Sequence, residues 1–283
     1  MADRTALFLL IGTAASVLLG VGLVIMKSRS AALPAAEGRR SLRIAIRWLR
    51  DPLWAAGIAI QTAGFALYMI ALSGAPVSML AVMMQGNVAV FVLFAALFLH
   101  ERAGAGEWFA ISAVVAAILL LALSLHGGAA ERPGDRRMLG ILLFAGILLA
   151  AAPHLSARLR TSGIAPALAS GVAFGLGSLY AKALTDAYAA APHAPVAAIF
   201  ASPWLYLTIA TNLGGLVLLQ NAFHSARGII AMPLSSACSN LVPIIGGILA
   251  FGERLPTDIP SAVLRISAFA LTIVAGGFLA TSE

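Results

Sequence analysis

Charge is what this sequence has least of. Of 283 residues, 10% are Asp, Glu, Lys or Arg and 61% are hydrophobic, whereas soluble domains run at about 25% charged. So few charged groups cannot clothe a water-soluble fold of this length, and lipid is the solvent that fits. The single cysteine, Cys238, excludes an internal disulfide, and no metal-ligand spacing surrounds it. The five histidines, His100, His126, His154, His193 and His224, fall at the ends of apolar runs or between them, never two in one run at ligand spacing. No Asp or Glu lies mid-way along an apolar run. Without a carboxylate pair, paired histidines or a nucleophile motif, a membrane-embedded enzyme is not expected, and neither is a bound cofactor or metal.

What remains is a succession of apolar runs. A membrane helix takes about 20 mostly apolar residues, and nine segments are read as spans: Ala6–Met26, Pro52–Leu72, Pro76–Leu99, Gly106–His126, Met138–Pro153, Ile164–Leu184, Pro203–Ala222, Gly228–Phe251 and Pro260–Ala280. The fifth is the shortest. Pro192–Ser202 is apolar but broken by proline and too short to span, so it reads as an interfacial or re-entrant connection. The first run exceeds the core of a signal peptide and leads into Lys27 and Arg29, so it is expected to be kept as the first membrane helix. The fold expected is all-α, a single polytopic helix bundle over residues 1–283.

The net charge of +7 gathers in one place. Lys27, Arg29, Arg39, Arg40, Arg43, Arg47 and Arg50 follow the first span, and the positive-inside rule puts that loop in the cytoplasm. The N-terminus is then outside the cell and, after nine spans, the C-terminus is cytoplasmic. Leu42, Ile46 and Leu49 recur at helical spacing on a face away from the arginines, as in a short helix lying among lipid headgroups. The partner implied is the bilayer of the cell membrane, not nucleic acid. Homo-oligomerisation is left open.

Three motifs occur twice in the same order. Gly20-Val-Gly22 with Lys27 answers Gly175-Leu-Gly177 with Lys182; Glu101-Arg102 answers Glu253-Arg254; Ile111-Ser112-Ala113 answers Ile266-Ser267-Ala268. The separations are 155, 152 and 155 residues. Kept order and spacing indicate two repeats of four helices, about 6–126 and 164–281, joined by a linker helix at 138–153. Five crossings separate the starts of the two units, and an odd number inverts the second. Inverted repeats are a recurring plan of solute transporters. A symmetric scaffold or interaction protein that moves nothing is the rival expectation.

The Glu-Arg pairs, with the turn Ala71-Leu72-Ser73-Gly74-Ala75-Pro76, resemble the signature of the drug/metabolite transporter superfamily with its EamA-type repeats. Within it, nine spans, the early Gly-x-Gly with Lys27 and the basic loop are similar to the NIPA-type magnesium transporters. The resemblance implies two inverted halves around a central cavity lined by the earlier helices of each half. It also implies transport of a small solute by alternating access, or of magnesium ions.

Polar side chains at mid-bilayer face a cavity or a partner helix. Gln61 and Asn212 sit midway along the second and seventh spans, 151 residues apart; Gln85 and Asn87 centre the third, and Ser239 and Asn240 the eighth. Together they are expected to form a neutral substrate belt, suited to a small polar organic solute at least as well as to hydrated Mg²⁺. Pro233 and Pro243 are the expected hinge of the eighth span. Gly20, Gly22, Gly175 and Gly177 permit close helix approach, while Lys27, Lys182, Glu101 and Glu253, at helix ends, are candidates for gating. Tyr68 and Met84 could line a cavity and read first as packing residues. Arg265, more than a turn inside the ninth span, is expected to snorkel outward near Glu253 and Asp258.

Overall fold

Backbone in hydrocarbon has to satisfy its own N–H and C=O groups, and a helix does so within one segment. The computed structural model describes residues 2–30, 48–84, 86–98, 104–124, 133–155, 163–191, 195–226 and 228–281, and every regular element among them is helical. In chain order these are α1 (Ala2–Ser30), α2 (Pro52–Leu72), α3 (Val77–Met84), α4 (Gly86–Phe98), α5 (Ala105–Leu123), α6 (Arg136–Ala151, continued by a 3₁₀ turn Ala152–Leu155), α7 (Ile164–Ala189), α8 (Pro195–Ala201), α9 (Pro203–Ser225), α10 (Gly228–Phe251) and α11 (Ile259–Thr281). Gln85, Glu101 and the basic segment 31–47 lie outside the described residues. Among the described residues, five stretches are long and apolar enough to cross a membrane: Thr5–Arg29, Pro52–Leu72, Arg136–Leu155, Ile164–Ala189 and Leu234–Phe251.

The fifth segment, expected to be the shortest, is among those five. Asp135 extends it by capping, its carboxylate accepting from the Arg137 N–H at 2.9 Å, and the 3₁₀ turn carries it to 20 residues. Ile141, Phe144, Ile147 and Leu148 lie exposed along it, the surface of a helix that faces lipid. Two helices begin alike. Asp51 caps α2 and Ser202 caps α9, each followed by proline in the first turn, where a missing N–H is harmless and φ is already helical. The Arg29 guanidinium also reaches the Asp51 carboxylate at 2.7 Å. That hydrogen bond first, and the Trp54 N–H second, hold Asp51 below the usual carboxylate range. Its contribution is therefore complete above that range and fades as pH falls through the lowered value. Pro192–Ser202, read as a connection too short to span, holds the two-turn helix α8.

α1 packs along α2 and α4, α7 along α9 and α10, and α6 rests on α7; α5 pairs with α11, and α10 also crosses α3 and α4. Membrane helices associate by close contact rather than by the hydrophobic effect, so small residues sit where backbones meet. Gly22 and Gly57 face each other: a Cβ on Gly22 would stand 2.9 Å from the Gly57 carbonyl oxygen, and one on Gly57 3.0 Å from that of Gly22. A Cβ on Gly171 in α7 would overlap the Ser235 carbonyl oxygen in α10 and stand 2.7 Å from Cys238 Cβ. Gly214 in α9 has nothing within 4 Å of that position.

Gly171→Ala is expected to cost about 1–3 kcal/mol through overpacking against rigid backbone. Gly214→Ala should be neutral or gain up to about 1 kcal/mol from helix propensity. Unfolding of both variants in detergent, followed by circular dichroism, checks the pair.

Candidate functional site

A cavity of about 430 Å³ opens between α1, α2, α3, α4, α7, α9 and α10, within the range of about 300–1,000 Å³ typical of small-molecule sites. Gln61, Asn87, Asn212, Ser239 and Asn240 all lie on its wall, and so does Pro243. Gln85 is outside the described residues. Tyr68 and Met84, read as packing residues, line the cavity too: each belongs to the core on one side and faces the void on the other. Thr208, Ser178, Ser235 and Ser236 were not anticipated on this wall. Two signals bear on those of α9 and α10, and none on Ser178 in α7. Ser235, Ser236, Ser239 and Asn240 fall within about a turn and a half of one helix, and aligning Asp51-Pro52 with Ser202-Pro203 brings the start of α9 into register with that of α2.

Among the described residues that line the cavity, none carries a charge. Its amides are oriented by their nitrogens. Asn212 Nδ2 donates to the Thr208 carbonyl at 2.8 Å, Gln61 Nε2 to the Leu19 carbonyl at 3.3 Å, and Asn240 Nδ2 to the Ser236 carbonyl and hydroxyl. A carbonyl only accepts, so the nitrogen assignment of each amide follows from its partner. Ser239 and Ser178 likewise donate to the carbonyls of Ser236 and Phe174. Asn87 Oδ1 and Thr208 Oγ1 are buried and make no hydrogen bond among the described residues.

The expected repeat motifs sit around this cavity. A Cβ on Gly20 would stand 2.7 Å from the Asn87 carbonyl oxygen and 2.9 Å from Val90 Cβ; one on Gly175 would stand 3.2 Å from the Ser239 carbonyl oxygen and 2.6 Å from Val242 Cβ. Asn87 and Ser239 are 152 residues apart, and so are Val90 and Val242. Gly22 abuts Gln61 and Gly177 abuts Asn212. α10 runs as one helix through Pro233 and Pro243.

Both lysines turn inward. Lys27 Nζ donates to the Phe223 carbonyl at 3.0 Å and lies 5.3 Å from the centre of the Phe223 ring. Lys182 Nζ donates to the Leu72 carbonyl at 3.1 Å and stands 3.7 Å from Asp186. Glu253 is buried as well. Gly252, with φ of +62°, ends α10 in the left-handed conformation that glycine tolerates best. The carboxylate then folds back over Gly247, where a Cβ would stand 2.5 Å from Oε2, and accepts from Val77 N at 2.8 Å and more weakly from Ser78 N. It thus serves as the N-terminal cap of α3, the end at which an anion is favoured.

Arg265 corrects an expectation. It does not snorkel: it is 2% exposed, and its guanidinium donates to the Ser124 carbonyl at 3.0 Å and to the Ser124 hydroxyl at 3.4 Å. The end of α5 lies beside it and offers unsatisfied last-turn acceptors, a protein partner nearer than water. No group of three or more His, Cys, Asp or Glu that could hold a metal occurs among the described residues.

Glu253→Ala strips the acceptor from two buried N–H groups and is expected to destabilise by about 1–3 kcal/mol. Glu253→Gln keeps one acceptor oxygen and should recover roughly half. Thermal unfolding of the two variants in detergent separates capping from charge.

The chain is 23% identical over 278 residues to an Arabidopsis thaliana protein described as probable magnesium transporter NIPA9, in an alignment covering 93% of this chain and 78% of that protein. No solved structure matches the chain. No family profile matches it either.

Proposed function

We propose that this protein transports a small polar organic solute across the cell membrane by alternating access of two inverted halves around the uncharged cavity. The pairing of the cavity wall carries the reading. Ile58, Gln61, Thr62, Phe65 and Tyr68 have counterparts 151 residues on in Ile209, Asn212, Leu213, Leu216 and Leu219, and all ten line the cavity. Leu19 and Leu23 are matched by Phe174 and Ser178 at 155 residues, and Met84 and Asn87 by Ser236 and Ser239 at 152. A scaffold that moves nothing has no use for a paired void.

Inversion is supported by which helix ends meet. Arg29 and Lys27 bring the end of α1 to the start of α2 and the end of α9. Lys182 brings the end of α7 to the end of α2. The ends of α1 and α9 thus share one side and those of α7 and α2 the other, so α2 and α9 run in opposite directions, as do α1 and α7. The two lysine contacts are related in the same way, since their acceptors Leu72 and Phe223 are 151 residues apart. One seals each side and serves as a gate, with Glu253 bracing α10 against α3. Pro233 and Pro243 supply the give in α10, because each proline frees a backbone carbonyl.

Magnesium transport is the second reading, favoured by the description of the plant relative. Proteins usually hold Mg²⁺ through one or two carboxylates with several waters retained. The described cavity wall offers none, and Asp51, Asp135, Asp186, Glu253 and Asp258 all stand at helix ends.

In proteoliposomes, Gln61→Ala, Asn87→Ala and Asn212→Ala should each slow solute uptake about tenfold, the equivalent of one hydrogen bond, with insertion and folding unchanged. Mg²⁺ flux abolished by removing Glu101 or Glu253, yet untouched by those three changes, would reverse the order of the two readings. Orientation is tested separately. In a Cys238→Ser background, Ser41→Cys is expected to resist an impermeant thiol reagent in intact cells and to react once the membrane is opened.

A further inference from the structure

The two halves of the cavity wall are paired in position but differ in chemistry where α10 faces α3. α10 presents Ser235, Ser236, Ser239 and Asn240 together, while Thr208 and Asn212 of α9 stand among Ile209, Leu213, Leu216 and Leu219. α3 presents Ala81 and Met84, beside Phe65 and the Tyr68 ring of α2. Single pairs make the contrast sharp: Met84 stands where the other half has Ser236, and Leu23 where it has Ser178.

The polar wall is also one-sided in hydrogen bonding. The two N–H groups of Asn240 and the Ser178 and Ser239 hydroxyl protons are already committed within the chain, and so is one N–H of Asn212. What Asn240, Ser178 and Ser239 have left for a solute is oxygen lone pairs, and Asn212 keeps one N–H beside its oxygen. Thr208 Oγ1, on a residue 4% exposed, and Asn87 Oδ1 are buried without a protein partner, and a buried polar atom left unpaired is costly unless something else supplies the bond. A full charge entering this space finds no counter-charge on the wall, and burying one unpaired is costlier still.

From this we infer that the solute is an uncharged amphipathic molecule. Its N–H or O–H donors lie against α9 and α10, and its apolar end lies against Phe65, Tyr68 and Met84. The inference rests on the proposal that the cavity is the transport site and adds the chemical class and the orientation of what it takes.

The test is binding to the purified full chain in nanodiscs, by calorimetry. The probes are n-alkanamides from propanamide to hexanamide, with N,N-dimethylhexanamide, hexanoate, hexylammonium and Mg²⁺ for comparison. Affinity for the primary amides should rise with chain length by about fourfold per methylene, and the dimethyl amide, which has no donor, should bind at least tenfold more weakly than hexanamide. Met84→Ser should flatten the chain-length dependence. Thr208→Val, which keeps shape and removes a hydroxyl with no protein partner, should weaken every primary amide alike, keep the slope and leave the melting temperature unchanged. Stronger binding of hexanoate, hexylammonium or Mg²⁺ than of hexanamide overturns the assigned class while the cavity remains a site. Equal binding of the dimethyl and primary amides, or no effect of Thr208→Val, overturns the donor orientation. If no probe binds and neither variant changes any titration, the cavity is not the site, and the proposed function falls with it.

Discussion

A helix end inside a membrane protein has no water to turn to, and the bundle is organised around answering such ends with side chains from elsewhere in the chain. The last-turn carbonyls of α2 and α9 are met by Lys182 and Lys27, and the first N–H groups of α3 by Glu253. A lysine near the end of a membrane helix can lay its stem along the surface and reach the headgroups, so the inward course of both side chains is a choice made by the protein. Each links a helix to one far away in sequence, and each leaves an ammonium among neighbours that suit it: the Phe223 ring for Lys27, and Asp186 for Lys182. If these contacts were lost, the ends of α2 and α9 would be free to separate from the helices that cover the cavity.

Close approach within pairs and loose fit between them come from the same composition. Gly22 against Gly57 brings α1 and α2 to backbone contact, and Gly171 does the same for α7 and α10. Where the pairs meet one another, the side chains are longer and the packing leaves the cavity. In the proposed mechanism this division matters, because rigid pairs can shift as units and reshape the void without breaking their own contacts. The dense interfaces and the empty one are complementary parts of one arrangement.

Much of this was legible in the sequence because polar residues are scarce. When only a handful of amides interrupt apolar runs, their placement carries information, and Gln61, Asn87, Asn212, Ser239 and Asn240 do line one cavity. The serines and Thr208 were harder to read, since a hydroxyl in a membrane helix is commonly absorbed by its own backbone, as Ser239 is here. Arg265 was misread for a related reason. Its depth in the span was evident, but the acceptor it meets belongs to Ser124, 141 positions away, and a one-dimensional reading assigns such a residue to water. Tyr68 and Met84 were placed as packing residues because sequence alone does not say which side of a core residue faces a void.

The separation between matched positions is itself informative where it changes. It is 155 residues at the motifs of α1 and α7 but 151 at Gln61 and Asn212, so the connection after the first span is four residues longer than its counterpart. On the 151-residue register, Ile44–Arg50 corresponds to Pro195–Ala201, the helix α8. The first of these segments carries Arg47 and Arg50, and the second carries no charge. In the proposed inverted arrangement these two connections lie on opposite faces of the membrane. Two halves of opposite direction and equal charge would have no reason to insert one way rather than the other. Arginines on only one of the matched connections remove that degeneracy, because each basic residue near an anionic leaflet contributes about 1 kcal/mol. In the proposed arrangement, the feature that departs most from the internal symmetry is therefore the one that would let a nearly symmetric bundle take a single orientation.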